Sequence, residues 1–351
     1  MNKDREQLIS IQYLRAFAVL MVVLHHARNP KDWLFNPLEG YSAFAWGVDI
    51  FFVISGFIMY VAARNEKHFD FLGRRIIRVV PLYWGATLVF LAINTNFHIW
   101  WINSEVFTHL LQSLFFVPHY SPSHPDQIWP YLIPGWTLNY EMFFYLVFFF
   151  GLMAKRALLV SSLAILSMVF LGIIIEPQSA IMKEYTNPIM LEFLCGVWVA
   201  YAYLNGFLNK NLSVLVLIGF LGLFLLPFAT EEDLVVAGRI ACSTMIIAGA
   251  ASLGERTPHN KLLNLLGDAS YSIYLTHAIF SLSWSSKIWH QVPVEGWLQF
   301  SGWIILTLAI SSVTGIVVHL YFEKPMLKWL RTKWKGKAIN NLSKKLARVQ
   351  R

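Results

Sequence analysis

The chain has 351 residues, of which 56% are hydrophobic, 16% aromatic and only 14% charged, and it carries a net charge of +8. A soluble domain holds about 45–50% apolar and about 25% charged residues, and a water-exposed fold has nowhere to hide such a surplus of apolar side chains. The composition therefore excludes a soluble enzyme, a disulfide-stapled secreted domain and a disordered chain, and it makes lipid the solvent.

A bilayer core needs about 20 apolar residues per helix. Runs of that kind occur at 10–27, 46–63, 77–94, 134–153, 157–175, 188–204, 212–228, 235–253, 270–289 and 298–320. None alternates with the period of two that an outer-membrane barrel requires, so the pattern predicts an all-α integral membrane protein, a bundle of about ten transmembrane helices. The first run follows Lys3 and Arg5 as a signal peptide would, but Arg15, His25 and His26 inside it argue for a permanent helix. Between the third and fourth runs lies the longest connection, 95–133, with Trp100, Trp101, Trp129, His119 and His124. Within it, residues 105–117 have helical apolar spacing suited to a helix lying along the interface. Cys195 and Cys242 sit inside apolar runs without redox or metal spacing and read as packing residues. There is no internal repeat, and the one boundary falls near 331, dividing a membrane domain at 1–330 from a basic tail at 331–351.

Lys and Arg set the orientation. With the N-terminus inside, 22 of the 28 fall in inside segments, five (Arg28, Lys31, Lys183, Arg239 and Lys287) fall in outside segments and their margins, and Arg15 lies within the first span. Both termini are therefore expected in the cytoplasm. The tail, with Lys333, Lys335, Lys337, Lys344, Lys345 and Arg348, reads as an anchor on anionic lipid, and the positive charge needs no nucleic-acid partner.

Ionisable groups at membrane depth cost about 2.5–3.5 kcal/mol each on insertion scales, so each is a functional candidate. Arg15 and His26 share the first helix, close to three turns and about 16 Å apart on one face. Snorkelling to the interface is the competing reading for Arg15, and a helix-to-helix hydrogen bond is the competing reading for His26. Asp49 at the outer end of the second span and Glu141 two turns into the fourth share the outer half of the bilayer with His26. A histidine oriented by a carboxylate suits general base catalysis on a hydroxyl, because imidazole titrates near neutrality. Asp49 also reads as a helix-start residue paired with Arg28 or Lys31. Arg74, Arg75 and Arg78 begin the third span, and Arg75 and Arg78, one turn apart, suit a grip on phosphate, although positive-inside charge alone would place them there. Glu323 at the inner end of the last span is a partner for one of these arginines, and His277 in the ninth span reads as a core hydrogen-bonder or a site wall.

Taken together these stretches resemble the membrane-bound acyltransferase 3 family, and most closely its exopolysaccharide-type members that acylate surface sugars. SIQYLRAFAVLMVVLHH is similar to the family's first helix, in which an Arg is followed by ten residues and a His, here Arg15 and His26; His25 falls where an aromatic is usual. GVDIFFVISGFIM at 47–59 is similar to the second-span signature, and RRIIRVVPLYW at 74–84 carries the RxxR as Arg75 and Arg78. WTLNYEMFFYL at 136–146 matches the Trp, Glu141 and Tyr145 pattern, and SYSIYLTHAIF with FEKP completes the set. The resemblance covers about residues 8–325.

The resemblance implies ten helices with both termini cytoplasmic in a bacterial inner membrane. It further implies transfer of an acyl group from cytoplasmic acyl-CoA to a sugar or polysaccharide hydroxyl on the far side. Arg75 and Arg78, with Arg15, would hold the acyl-CoA, and His26 would do the acyl chemistry with Glu141 or Asp49 beside it. Tyr145, His277 and Glu323 would form further site wall. No metal and no permanently bound cofactor is expected; acetyl-CoA is the commonest donor substrate and succinyl-CoA the second choice. Direct transfer with His26 as base and a covalent acyl-histidine both remain open. Gly47, Gly56 and Gly135 would let helices approach or open for the pantetheine arm. Trp100, Trp101 and Trp129 are candidates for a sugar platform. A transporter or flippase and a purely structural partner in a polysaccharide assembly are the rival classes.

Overall fold

In lipid the backbone has no water to bond, so each apolar run closes its own hydrogen bonds as a helix. The computed structural model describes residues 9–28, 32–64, 66–94, 104–254 and 257–334, and among them there is no β-strand. The helices are α1 (Ile9–Ala27), α2 (Gly47–Ala63), α3 (His68–Asn94), α4 (Ser104–Leu114), α5 (Trp136–Met153), α6 (Ala157–Ile175) and α7 (Ala180–Tyr185). They continue with α8 (Met190–Leu204), α9 (Val214–Leu225), α10 (Glu232–Leu253), α11 (Lys261–Asp268), α12 (Ser270–Thr276), α13 (Leu282–Trp289) and α14 (Gly296–Val318).

Among the described residues nine helices are long and apolar enough to cross a membrane. The tenth expected span, 270–289, is also helical, α12 running through a π turn at His277–Ser281 into α13, but its Ser, Tyr, His and Lys residues leave it less apolar than the nine. A second π turn, His319–Glu323, follows α14, and the helix then continues to Trp334. α3 likewise begins nine residues before its apolar run, so Arg74, Arg75 and Arg78 stand on a formed helix. These extensions carry basic side chains beyond the apolar lengths while keeping their helical spacing.

α1, α2, α5, α8 and α12 supply most of the buried core. α6, α9 and α14 keep one face outward, where Leu217 is 70% and Ile305 68% exposed, as lipid-facing side chains are. The central crossing is that of α2 with α8. A Cβ added at Gly56 would lie 2.0 Å from the Phe193 carbonyl oxygen, and one at Gly196 would lie 2.1 Å from the Val53 carbonyl oxygen. Two glycines on opposite helices thus bring backbone against backbone, the close packing that holds membrane helices together where no hydrophobic force acts between them. This is how α2 is pinned with one face toward α8 and the other toward α1 and α5.

The two ends of the bundle are distinct. At one end Gly267 of α11 lies against Gln12, the Trp334 indole donates to Asp70 at 3.3 Å, and Arg64, Lys155 and Arg156 share a surface hollow. At the other, the Trp303 indole donates to the Ala27 carbonyl at 2.7 Å and the Tyr41 hydroxyl to the Phe224 carbonyl at 2.6 Å. Basic residues therefore gather at the end where α1 begins. Residues 1–8 and 335–351, which hold the N-terminal charges and most of the basic tail, lie outside the described residues.

Gly56→Leu is expected to destabilise the purified protein by more than about 3 kcal/mol, the upper range for overpacking, or to prevent its folding. Gly85→Leu, where an added Cβ meets nothing within 4 Å, is expected to keep the wild-type melting temperature. Equal thermal stability of the two variants in detergent would contradict the backbone contact at the α2–α8 crossing.

Candidate active site

A cavity of about 320 Å3 lies among α1, α2, α3, α5 and α12, with Arg331 from the extension of α14 also on its wall. Its polar lining is unbalanced: Arg15, Arg75, Arg78 and Arg331 face it together with a single carboxylate, Glu141. Tyr145, Tyr271, Tyr274, Thr137, Ser55 and Ser270 add neutral hydroxyls, and Val48, Phe51, Phe52 and Ile58 make the rest apolar. The lining runs along α2 from Val48 to Ile58, a length of about 15 Å at the helical rise. The space is therefore elongated along the bundle, with Arg75, Arg78 and the exposed Arg331 toward the basic end.

Each arginine is positioned differently. Arg15 donates to Gln12 Oε1 at 3.1 Å and to the Ser270 hydroxyl at 2.9 Å. Arg75 stacks its guanidinium 5.4 Å from the Phe71 ring centre. Arg78 lies 4.0 Å from Glu323, which is fully buried and also accepts from the Ser272 hydroxyl and from His319, each at 2.7 Å. Arg74 turns away to Glu66 at 2.9 Å. Among the described residues Arg75 and Arg331 have no ion-pair partner. Three or four cations on one partly buried space with so little negative charge suit a ligand that brings several negative charges.

Glu141 accepts from the Ser55 hydroxyl at 3.0 Å and from the Tyr145 hydroxyl. His26 is half-buried at the other end of α1, and its Nδ1 lies 3.2 Å from Nε2 of His277 and 3.0 Å from the Val22 carbonyl. His277 is fully buried. The link from this pair to the cavity is Tyr274: its carbonyl lies 2.5 Å from His277 Nδ1, and its side chain lines the cavity, with its hydroxyl 3.0 Å from that of Thr137.

Arg15, Arg75, Arg78, Glu141 and Tyr145 thus share one cavity, His26 and His277 pair beside it, and Glu323 stands behind Arg78. Asp49, expected with His26 and Glu141, is directed elsewhere. It accepts from Arg239 of α10, with contacts of 2.7 and 2.6 Å, and the buried Glu192 of α8 lies beside this pair. The reason is rotation about α2. The cavity takes positions 48, 51, 52, 54, 55 and 58, and Asp49, about 100° onward from Val48, faces α8 and α10. Depth along the bundle is readable from topology, but the direction around the helix is set by the α2–α8 crossing. Glu141 likewise bonds to α2 and to its own helix rather than to His26.

Sequence reasoning missed Arg331, which was counted with the tail; its signal was its position eight residues after Glu323 on a continuing helix. It also passed over Glu192 and Arg239, although both are ionisable residues within apolar runs, and Tyr271 and Tyr274, which read as ordinary aromatics of a span.

A family model described as an acyltransferase domain, Acyl_transf_3, matches residues 8–318. The chain is 36% identical over 302 residues to the exopolysaccharide production protein ExoZ of Rhizobium meliloti (strain 1021), covering 81% of this chain and 90% of that one. It is 25% identical to the O-acetyltransferase OatA of Staphylococcus aureus (strain NCTC 8325), over 93% of this chain and 59% of that one. It is 27% identical to the putative peptidoglycan O-acetyltransferase YrhL of Bacillus subtilis (strain 168), over 89% of this chain and 54% of that one. The chain therefore spans little more than half the length of the last two. No solved structure matches it.

On the opposite end from the arginines, α4 forms where apolar spacing predicted it and docks on α3 through the Trp84 indole, which donates to the Leu114 carbonyl at 2.7 Å. His119 donates from Nδ1 to the Val117 carbonyl at 2.7 Å, and its Nε2 lies 2.6 Å from His109 Nδ1. Trp129 packs with His124 at 5.1 Å between ring centres, whereas Trp100 and Trp101 lie outside the described residues. Burial lowers both pair histidines below their ordinary value, His109 to about 4, with their mutual repulsion adding to that of His109. The unfolded chain therefore binds more protons between these values, so the contribution of the pair is whole above about pH 6.5 and is lost as pH falls toward 4. Thermal stability of the wild type is expected to fall over that window, and His109→Phe with His119→Phe to flatten the fall; an identical pH profile in the double variant would contradict this reading.

Proposed function

Because the chain belongs to the acyltransferase 3 family, we propose that it is a multi-pass membrane O-acyltransferase. In this reading it takes an acyl group, acetyl first among the candidates, from cytoplasmic acyl-CoA and transfers it to a hydroxyl of an extracytoplasmic or lipid-linked sugar or polysaccharide. The membrane is the bacterial inner membrane, both termini are cytoplasmic, and the transferase domain extends past the expected boundary at 331, since Arg331 stands on a helix that continues to Trp334 and faces the cavity, with the basic tail beyond it. The observation that carries the reading is the convergence of Arg15, Arg75, Arg78 and Arg331 on one elongated cavity. A nucleotide thioester has phosphates for the guanidinium end and a long, largely uncharged arm for the apolar-walled part. The names of the exopolysaccharide production protein ExoZ and the putative peptidoglycan O-acetyltransferase YrhL support a polysaccharide acceptor, and that of the O-acetyltransferase OatA supports an acetyl group.

In the direct route the His26 imidazole takes the proton of the acceptor hydroxyl as its oxygen attacks the thioester carbonyl carbon. The carbon–sulfur bond breaks, and the departing thiolate takes up that proton, leaving an ester and free CoA. In the covalent route the imidazole itself attacks the carbonyl carbon, the carbon–sulfur bond breaks and the ring's N–H proton leaves with the thiolate as free CoA, and the sugar hydroxyl then takes the acyl group from the ring while its own proton returns to the imidazole. Glu141, held by Ser55 and Tyr145, serves as the polar wall of the cavity rather than as the orienting partner of His26.

Protein reconstituted in lipid with radiolabelled acetyl-CoA and surface polysaccharide is expected to release CoA and label the polysaccharide, and His26→Ala to abolish transfer. Label held on wild-type protein in the absence of acceptor selects the covalent route. Sugar-lipid movement without any acyl-CoA turnover would replace the reading with a transporter. Charge-assisted hydrogen bonds contribute about 1.5–3 kcal/mol each, so Arg331→Ala is expected to weaken acetyl-CoA binding by about tenfold or more. Replacing Arg75 and Arg78 together should weaken it further still. Unchanged calorimetric affinity in these variants would remove the arginine cluster from donor binding.

A further inference from the structure

We infer that His277 is a positioning residue that fixes the tautomer of His26, so that the Nε2 lone pair of His26 is the one presented for reaction. The inference rests on the proposed role of His26 in acyl transfer and adds to it the group that orients the ring.

The hydrogens are fixed in turn, outward from the backbone. His277 Nδ1 lies 2.5 Å from the Tyr274 carbonyl, and a carbonyl only accepts, so this nitrogen carries the hydrogen. A fully buried imidazole with no carboxylate against it is neutral, and its second nitrogen, Nε2, is then an acceptor. That acceptor faces Nδ1 of His26 at 3.2 Å. The other group at His26 Nδ1 is the Val22 carbonyl at 3.0 Å, again an acceptor only. Both neighbours require the hydrogen on Nδ1. The neutral His26 ring must therefore leave Nε2 unprotonated, the form in which it accepts a proton or attacks a carbonyl.

The local backbone supplies the geometry. His277 opens the π turn at 277–281, directly after α12, and such single wide turns recur at functional sites because they re-aim one side chain. Tyr274 ties the two parts together, since its carbonyl sets the His277 ring and its side chain lines the arginine cavity. The arrangement has the logic of a base held by a third group, with a neutral imidazole in the place a carboxylate usually takes. The two carboxylates nearest in sequence expectation are committed elsewhere, Glu141 to Ser55 and Tyr145 and Asp49 to Arg239. When His26 takes a proton during transfer, its Nδ1 hydrogen already points at His277 Nε2, so the new charge forms against a placed acceptor.

The test compares His277→Gln, whose amide oxygen restores an acceptor near the position of Nε2, with His277→Leu, which removes it, in steady-state transfer from acetyl-CoA. The expected result is a loss of kcat of about 10²-fold in His277→Leu, a donor KM within twofold of wild type, and recovery of most of the rate in His277→Gln. Equal losses in the two variants at equal thermal stability, or a change confined to KM, would overturn the inference. A measurement on the unmodified chain does not depend on either variant folding: nitrogen NMR of 15N-labelled histidine should show His26 protonated on Nδ1 and bare on Nε2, and the opposite tautomer would overturn it. Full activity of His26→Ala would instead remove the underlying reading, an outcome distinct from any of these.

Discussion

The site depends on several cations gathered on one cavity of a membrane bundle with few counter-charges among them. Like charges gathered on one space repel, and a bundle that sought only stability would pair or separate them. Here one carboxylate lines the cavity with four arginines, and the buried Glu323 answers only Arg78, at 4.0 Å. The remaining charge is directed at a space rather than at a side chain. Such a surplus makes sense when the missing partner is a ligand that brings its own negative charge.

The bundle has to hold these groups in register, and three local devices do so. The crossing of α2 and α8 at Gly56 and Gly196 fixes the rotation of α2, which decides that Ser55 reaches Glu141 while Asp49 turns to Arg239. The π turn at His319–Glu323 lies where Glu323 meets Arg78 and Ser272, and the helical extension beyond it brings Arg331 back to the cavity. The π turn at His277–Ser281 lies where α12 meets His26. α1 joins the two chemistries, with Arg15 in the cavity and His26 about 16 Å further along the same helix. A donor anchored by phosphate at one end and reactive at the other needs that separation.

Much of this was legible in the residues. Apolar run lengths predict ten spans, nine of which are, among the described residues, helices long and apolar enough to cross, and the family resemblance groups Arg15, Arg75 and Arg78 on one ligand but places Glu141 with His26 and Asp49 instead. Hydropathy could not show that the 270–289 helix contains a π turn, because such a turn changes hydrogen bonding without changing composition. Nor could it show which way Asp49 points, since rotation about a helix is set by packing partners far away in sequence. The pairing of His26 with His277 joins positions 251 apart, which no local pattern encodes. Arg331 was hidden by its neighbours: amid a basic tail, one arginine with a site role looks like the others.

The most direct test of the account is a structure of the protein in lipid with a non-hydrolysable acetyl-CoA analogue bound. The account predicts phosphate density against Arg75, Arg78 and Arg331, the pantetheine arm along the face of α2 between Val48 and Ile58, and the acyl carbon beside His26. Phosphates bound elsewhere on the protein, or an acyl end directed away from His26, would contradict it.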